Sequence, residues 1–234
     1  ISIFVPHVGC PNMCSFCNQR HITGKFTAPQ IKDIVNAVNI AVASKNYDPH
    51  TTEIAFFGGS FTAINRNYML ELLKTAKHFI DIGVVAGIRV STRPDAIDSE
   101  ILTVLKEYGV TSIELGAQSL DDVVLKLNNR GHTASDVVNA SNLIKSFGFS
   151  LGLQMMTGLY GDCDEFAIKT AQEIIKLQPD TVRIYPTIVL KNTDLAALYI
   201  DKKYKPQALE PAVDLCSKLL LMFNEANITV IRLG

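Results

Sequence analysis

The sequence predicts an α/β fold made of repeated strand–helix units around a parallel sheet. Short β-rich apolar runs alternate along the whole chain with longer segments whose apolar residues recur every three or four positions. That rhythm continues without a low-complexity linker and without any sequence repeat of its own, so residues 1–234 read as a single domain. Each β-rich run also ends on glycine, proline or an unusual polar group, as it should if functional groups gather at the C-terminal ends of parallel strands.

Taken in order, Ile1 to Pro6 forms the first strand, and a cysteine-rich loop hangs from its end. Pro29 to Ser44 is helical, because Ile31, Ile34, Val35, Val38 and Val42 share one face. Glu53 to Phe57 is the second strand and stops at Gly58-Gly59. Asn67 to Ile82 is a helix, Gly87 to Ser91 lies in the third strand, and Asp98 to Tyr108 is a helix closed by Gly109 at the left-handed position. Asp95 or Asp98 is placed to cap that helix. Ser112 to Leu115 gives the fourth strand, with helices near Asp121 to Leu127 and Ser135 to Phe147. Phe149 to Met155 is the fifth strand, Asp164 to Leu177 its helix, and Thr181 to Tyr185 the sixth. A helix at about Pro211 to Asn224 leads to a seventh strand at Ile228 to Ile231. Periodicity alone allows a partial barrel, a complete eight-stranded barrel or a doubly wound sheet.

The composition is that of a globular protein, 47% apolar and 19% charged, and no apolar run approaches the ~18 residues of a membrane span. With 22 basic and 23 acidic residues, net charge does not demand nucleic acid, nor does it exclude RNA. Five cysteines, three of them clustered, do not read as a disulfide framework, which fits a reducing cytoplasm. The chain starts inside an apolar run and ends just past a strand, so it reads as a portion of a longer protein.

The cluster is Cys10-Pro11-Asn12-Met13-Cys14-Ser15-Phe16-Cys17. Three thiolates on one tight loop suit an iron–sulfur cluster, zinc or copper(I). A structural zinc site wants four protein ligands and an electron-transfer 4Fe-4S cluster four cysteines, so three leave one coordination position open for chemistry. The alternative is a non-enzymatic zinc module completed by His7 or His21. Cys163 and Cys216 are isolated and read as plain residues.

The strand ends carry the remaining candidates. Phe56-Phe57-Gly58-Gly59-Ser60-Phe61 lets backbone approach a ligand closely. Ser91-Thr92-Arg93-Pro94-Asp95 follows the third strand, with Arg93 extended before proline. In Glu114-Leu115-Gly116-Ala117-Gln118-Ser119, two polar side chains interrupt a buried transition and need partners. Asn129-Arg130-Gly131-His132-Thr133 sets a cation and an imidazole beside a glycine, although an arginine in a loop is usually solvated. Gln154-Met155-Met156 ends the fifth strand, its methionines reading as core filler. Arg183-Ile184-Tyr185-Pro186-Thr187 ends the sixth.

The cysteine spacing, with Phe16 just before the third cysteine, resembles that of the radical S-adenosylmethionine (SAM) superfamily. Five blocks in order, Gly-Gly-Ser-Phe, Ser-Thr-Arg-Pro-Asp, Glu-Leu-Gly-Ala-Gln-Ser, Asn-Arg-Gly-His-Thr and Ile-Tyr-Pro-Thr, resemble the radical SAM domain of the Elongator catalytic subunit. They are also similar to the oxygen-independent coproporphyrinogen dehydrogenase group. The resemblance spans essentially the whole chain and implies a partial (β/α)6 TIM-type barrel. It implies a 4Fe-4S cluster held by Cys10, Cys14 and Cys17, whose fourth iron is chelated by SAM, and a 5′-deoxyadenosyl radical formed on reduction. Phe16 would pack near the adenine, Gly58 and Gly59 would receive the SAM amino group, and Arg130 would pair with its carboxylate. Gln118 and Gln154 stand where relatives contact carboxylate or ribose. Ser60 replaces the carboxylate of a Gly-Gly-Glu-type motif, and Ser91 stands where some relatives have glutamate. Arg183 and Tyr185 are the candidates for the substrate end, Arg183 replacing a lysine of the Elongator group. Implied partners are a flavodoxin- or ferredoxin-type one-electron reductant and a substrate, a tRNA base first and a tetrapyrrole or other small metabolite second. An ordinary (β/α) barrel enzyme with incidental cysteines is the remaining alternative, and it predicts turnover indifferent to SAM.

Overall fold

The computed structural model describes residues 1–5, 9–11, 13–18 and 27–234. Its strands are β1 (Ser2–Val5), β2 (Glu53–Gly58), β3 (Gly87–Thr92), β4 (Val110–Gln118), β5 (Ser150–Thr157), β6 (Thr181–Pro186) and β7 (Thr229–Leu233). Its helices are α1 (Ile31–Val42), α2 (Arg66–Asp81), α3 (Ser99–Glu107), α4 (Asp122–Leu127), α5 (Ala134–Ser146), α6 (Asp164–Leu177), α7 (Asp194–Ile200) and α8 (Leu209–Glu225). The sheet runs β1-β2-β3-β4-β5-β6-β7 in chain order with every pairing parallel. It curls into a half-barrel, the partial TIM-type architecture expected, and the seventh strand extends the six-unit core.

Alternation along the strands divides the sheet into two chemically different faces. Ile54, Phe56, Ile88, Val90, Ile113, Leu115, Leu151, Leu153, Val182 and Ile184 are essentially fully buried. They pack with helix residues such as Leu72, Leu73, Leu102, Leu105, Ile144, Ile174 and Leu219 in one continuous core. Each such side chain contributes on the order of 1.5–3 kcal/mol by leaving water. Intervening positions on the opposite face are mostly polar: Glu53, Arg89, Ser91, Glu114, Gln154, Arg183 and Tyr185.

Helix starts follow local chemistry. Asn65, Asp98, Asp121, Thr133 and Thr193 each accept a backbone N–H of the first turn of α2, α3, α4, α5 and α7. Of the two aspartates expected to compete for α3, Asp98 takes the cap, 2.7 Å from the Ile101 amide, while Asp95 is engaged elsewhere. Gly109 follows α3 at φ +78°, as its position predicts. Among the described residues, no helix is long and apolar enough to cross a membrane.

Candidate functional site

The cysteine loop leaves β1 and lies against the end of β2. Gly9 makes this approach possible: its φ is +86°, and a Cβ there would come within 2.4 Å of the Ser60 carbonyl oxygen. The loop's middle is pinned at Ser15, which is 1% exposed. The Ser15 amide donates to the Asn128 carbonyl at 3.1 Å, and its hydroxyl donates to Asn128 Oδ1 at 2.7 Å. A turn closed by the Cys17 amide on the Cys14 carbonyl completes the local geometry. Cys10, Cys14 and Cys17 are all half-buried thiols, and Phe16 is half-buried too.

Two buried guanidinium groups attend the thiols. Arg130 is 6% exposed rather than solvated. Its Nη1 donates to Cys14 Sγ at 3.0 Å and its Nη2 to the Gly116 carbonyl at 2.6 Å, while its Nε is buried with no partner among the described residues. Arg93 forms a two-pronged pair with Asp95, at 2.8 and 2.6 Å. Burial disfavours the Arg93 charge, but the Asp95 carboxylate and the nearby thiols more than offset this and hold its pKa above the ordinary value. Burial pushes the Cys10 thiol up, and the Ser60 amide, Arg93 and Arg130 pull it partly back. His132, beside Arg130, is lowered to about 4 by burial and by that neighbouring cation, so it is neutral at pH 7. Its Nε2–H then donates to the Ala117 carbonyl at 3.2 Å, and Nδ1 has no partner among the described residues.

The strand-end candidates gather on the same side. Gly58 has φ +116°, and the Gly59 amide donates to the Val5 carbonyl, tying β2 to β1. The Ser60 hydroxyl is turned inward, paired with Thr92 Oγ1 at 2.8 Å and accepting from the Arg93 amide. Gln118 sits at φ +67° where the β4–β5 register shifts, and its Oε1 accepts from Gln154 Nε2 at 3.2 Å.

Deeper on the polar face, an ionic ladder crosses four strands. Glu53 accepts both Nε and Nη2 of Arg89, and Arg89 Nη1 reaches Glu114 Oε1 at 3.3 Å. Glu114 takes Arg183 side-on through two bonds of 2.9 Å. Burial works against the Arg183 charge, but these hydrogen bonds raise its pKa above the usual value. Ser91 Oγ lies 3.5 Å from Glu114 Oε2. Gly152 makes room for the ladder, since a Cβ there would lie 2.8 Å from Glu114 Cγ. Arg183 thus stands on the polar face and in a salt bridge at once. Tyr185 lies further along β6, with the Arg232 guanidinium 5.7 Å from its ring centre.

Among the described residues, no group of three His, Cys, Asp or Glu side chains is gathered closely enough to hold one metal ion. His7 and His21 lie outside the described residues.

Residues 4–174 match the family model of the radical SAM superfamily, and residues 179–234 match the Radical_SAM C-terminal domain. The chain belongs to the radical SAM superfamily. It is therefore an enzyme of that superfamily, and its relatives bear out the Elongator-like resemblance. It is 24% identical over 240 residues to tRNA uridine(34) acetyltransferase of Dehalococcoides mccartyi, covering 88% of this chain and 52% of that protein. It is 33% identical over 141 residues to human Elongator complex protein 3, covering 58% of this chain and 25% of the relative. In fold it is similar to the archaeal Methanocaldococcus infernus Elp3, with TM-score 0.70 and 23% identity over 93% of this chain and 53% of that one. Coproporphyrinogen III oxidase (HemN) from Escherichia coli gives TM-score 0.68 and 19% identity, covering 96% and 52%. The chain spans about half the length, or less, of these curated relatives.

Within this superfamily the donor set fits an iron–sulfur cluster: three thiols on one loop, with a guanidinium 3.0 Å from the middle one. The bonding of Ser15 to Asn128, the pairing of Arg93 with Asp95, and α7 escaped the sequence reading. Of these, only Arg93 carried a signal, as an arginine held extended before proline at a strand end.

Proposed function

We propose that this chain is a radical SAM core domain spanning residues 1–234, with Cys10, Cys14 and Cys17 each ligating one iron of a 4Fe-4S cluster. The observation that carries the reading is the three-thiol loop with Arg130 against Cys14, in a chain that matches the superfamily over residues 4–174. When bound, the cluster and SAM together supply a 5′-deoxyadenosyl radical for hydrogen abstraction from a substrate. The protein's own task is to position the cofactors and exclude water. Gly58 and Gly59 offer backbone at the β2 end for the SAM amino group. Arg130 offers its unspent Nε, and either Nη on release from Cys14 or Gly116, to the carboxylate. Gln118 and Gln154, already bonded to each other, present amides for the ribose, with Phe16 beside the adenine. Ser60 acts through its backbone, because its hydroxyl is spent on Thr92 and Arg93. Ser91, Arg183 and Tyr185 line the substrate end of the polar face.

A tRNA base is the substrate that the relatives named tRNA uridine(34) acetyltransferase favour, and a flavodoxin or ferredoxin is the natural electron source in a reducing cytoplasm. The test is anaerobic reconstitution with iron and sulfide, followed by SAM addition to the reduced protein under EPR. A spectrum altered by SAM, together with 5′-deoxyadenosine, is expected in the wild type and absent in Cys14→Ala. Zinc retained without iron or sulfide, or a Cys14→Ala variant of full activity, overturns the reading. Salt-dependent binding of tRNA supports the RNA substrate, and its absence favours a tetrapyrrole or other small metabolite.

A further inference from the structure

The three thiols are carried by a loop whose described residues 9–11 and 13–18 form no helix or strand, yet its centre is closely bonded to the rest of the molecule. All three hydrogen-bonding groups of Ser15 are spent on distant segments. Its amide and hydroxyl both go to Asn128, at the end of α4, and its carbonyl accepts the Leu195 amide at 2.8 Å, from the first turn of α7. Asn128 is completely buried, and it in turn donates to the Val124 carbonyl at 2.8 Å and to the Tyr160 carbonyl, in the β5–α6 loop, at 2.9 Å. Asn18, just beyond the third cysteine, adds a bond to the Asn192 carbonyl at 3.1 Å. The cysteine loop, α4 and the β5–α6 loop therefore meet at the buried Asn128 side chain, α7 joins them at the Ser15 carbonyl, and the segment they hold is the stretch between Cys14 and Cys17.

We propose that Ser15 and Asn128 are positioning residues that fix the cysteine loop in its ligating shape before any cofactor arrives. Neither touches a cofactor. They act through Cys14 and Cys17, whose backbone they leave little freedom to swing outward. A loop held in advance loses less conformational entropy on cluster assembly and gives the cluster up more slowly. The proposal rests on the function proposed above for what the thiols hold, and on geometry alone for the rigidity of the loop.

The test uses Ser15→Ala, which deletes the hydroxyl and strands the buried Asn128 Oδ1, with Ser15→Thr as the variant that keeps the hydroxyl. Hydrogen exchange of the metal-free protein is followed over residues 10–18, with β5 as internal reference. Roughly tenfold faster exchange over residues 10–18, with β5 unchanged, is expected for alanine from the worth of one hydrogen bond. Threonine should restore protection. After reconstitution, iron should leave Ser15→Ala several-fold faster than wild type under an external chelator. Unchanged exchange over residues 10–18, equal acceleration in β5, or unchanged iron loss each overturns the proposal. A wild type that assembles no cluster overturns the proposed function instead, and the exchange of the metal-free protein still decides the loop's rigidity.

Discussion

Replacing Glu114 by glutamine removes one charge from the centre of the ionic ladder while keeping the shape of the side chain. Glu114 has 8% side-chain exposure, and its partners Arg89 and Arg183 have 22% and 27%. In the native protein its two oxygens accept three guanidinium bonds, of which the two from Arg183 form a side-on pair. Glutamine keeps one acceptor and turns an amide N–H towards a guanidinium, so one arm of that pair becomes donor against donor. Arg89 retains Glu53, but Arg183 is left as a half-buried cation with no carboxylate among the described residues. Breaking a buried pair from one side costs 3–5 kcal/mol, and the arginines' partial exposure places this site near the lower end, about 3 kcal/mol. In a chain of this size that lowers the melting temperature by roughly 6–12 °C. Denaturant unfolding of the metal-free protein measures the cost directly. The double variant with Arg183→Met should be less destabilised than the sum of the singles, by at least about 1 kcal/mol. A Glu114→Gln loss below 1 kcal/mol, or additive single and double variants, would show that the ladder is solvated and contributes nothing to the fold.

Other expectations concern protons and glycine. Burial raises the Asp162 carboxyl to about 6 from an ordinary 3.8, so its contribution to stability is greatest in acid and declines as pH climbs from about 4 to about 6. His132 behaves in the opposite sense: its pKa is lowered to about 4, so its contribution is full above 6.5 and is lost as pH falls towards 4. Urea midpoints between pH 4 and 6.5 should therefore steepen downward with rising pH in His132→Gln and rise with pH in Asp162→Asn; identical slopes in both variants would refute the assignment. Gly9→Ala should cost roughly 1–2 kcal/mol from its left-handed backbone alone, and the clash with the Ser60 carbonyl adds to this. Its effect should appear as lost iron retention with little change in the unfolding of β3 to β6, and normal retention would show that the loop shifts freely.

Most of the architecture could be read in the sequence because it rests on local rules. Alternation and helical periodicity located seven strands, and their ends fell within a few residues of those observed. α7 escaped because Asp194 to Ile200 is too short to establish a period. β4 extends further than predicted, from Val110 through Gln118, because Gly116 and a register irregularity keep a polar, glycine-containing stretch in the ladder. The site divided along the same line. Three thiols in eight residues are a local signal, but Ser15–Asn128 spans 113 positions and Glu114–Arg183 spans 69, and no spacing rule links them. Arg130 looked like a solvated loop residue because its partners, Cys14 and the Gly116 carbonyl, lie on other segments. Asp95 looked like a cap because the competing arginine, two positions away, has no periodic signature.

The strictly sequential order of the sheet bears on how the protein is made. Each strand pairs with its immediate predecessor, so a chain emerging from the ribosome can add units to an existing edge without holding a gap open for a later one. The cysteine loop, which follows β1 directly, does not share this convenience. Its anchors at Asn128 and Leu195 are synthesised only after β4 and β6 respectively. The segment that carries the thiols thus waits on two later segments to be finished. Until residue 195 is in place the nascent chain carries three thiols on an unanchored loop, the interval in which oxidation or a wrong metal has its best opportunity.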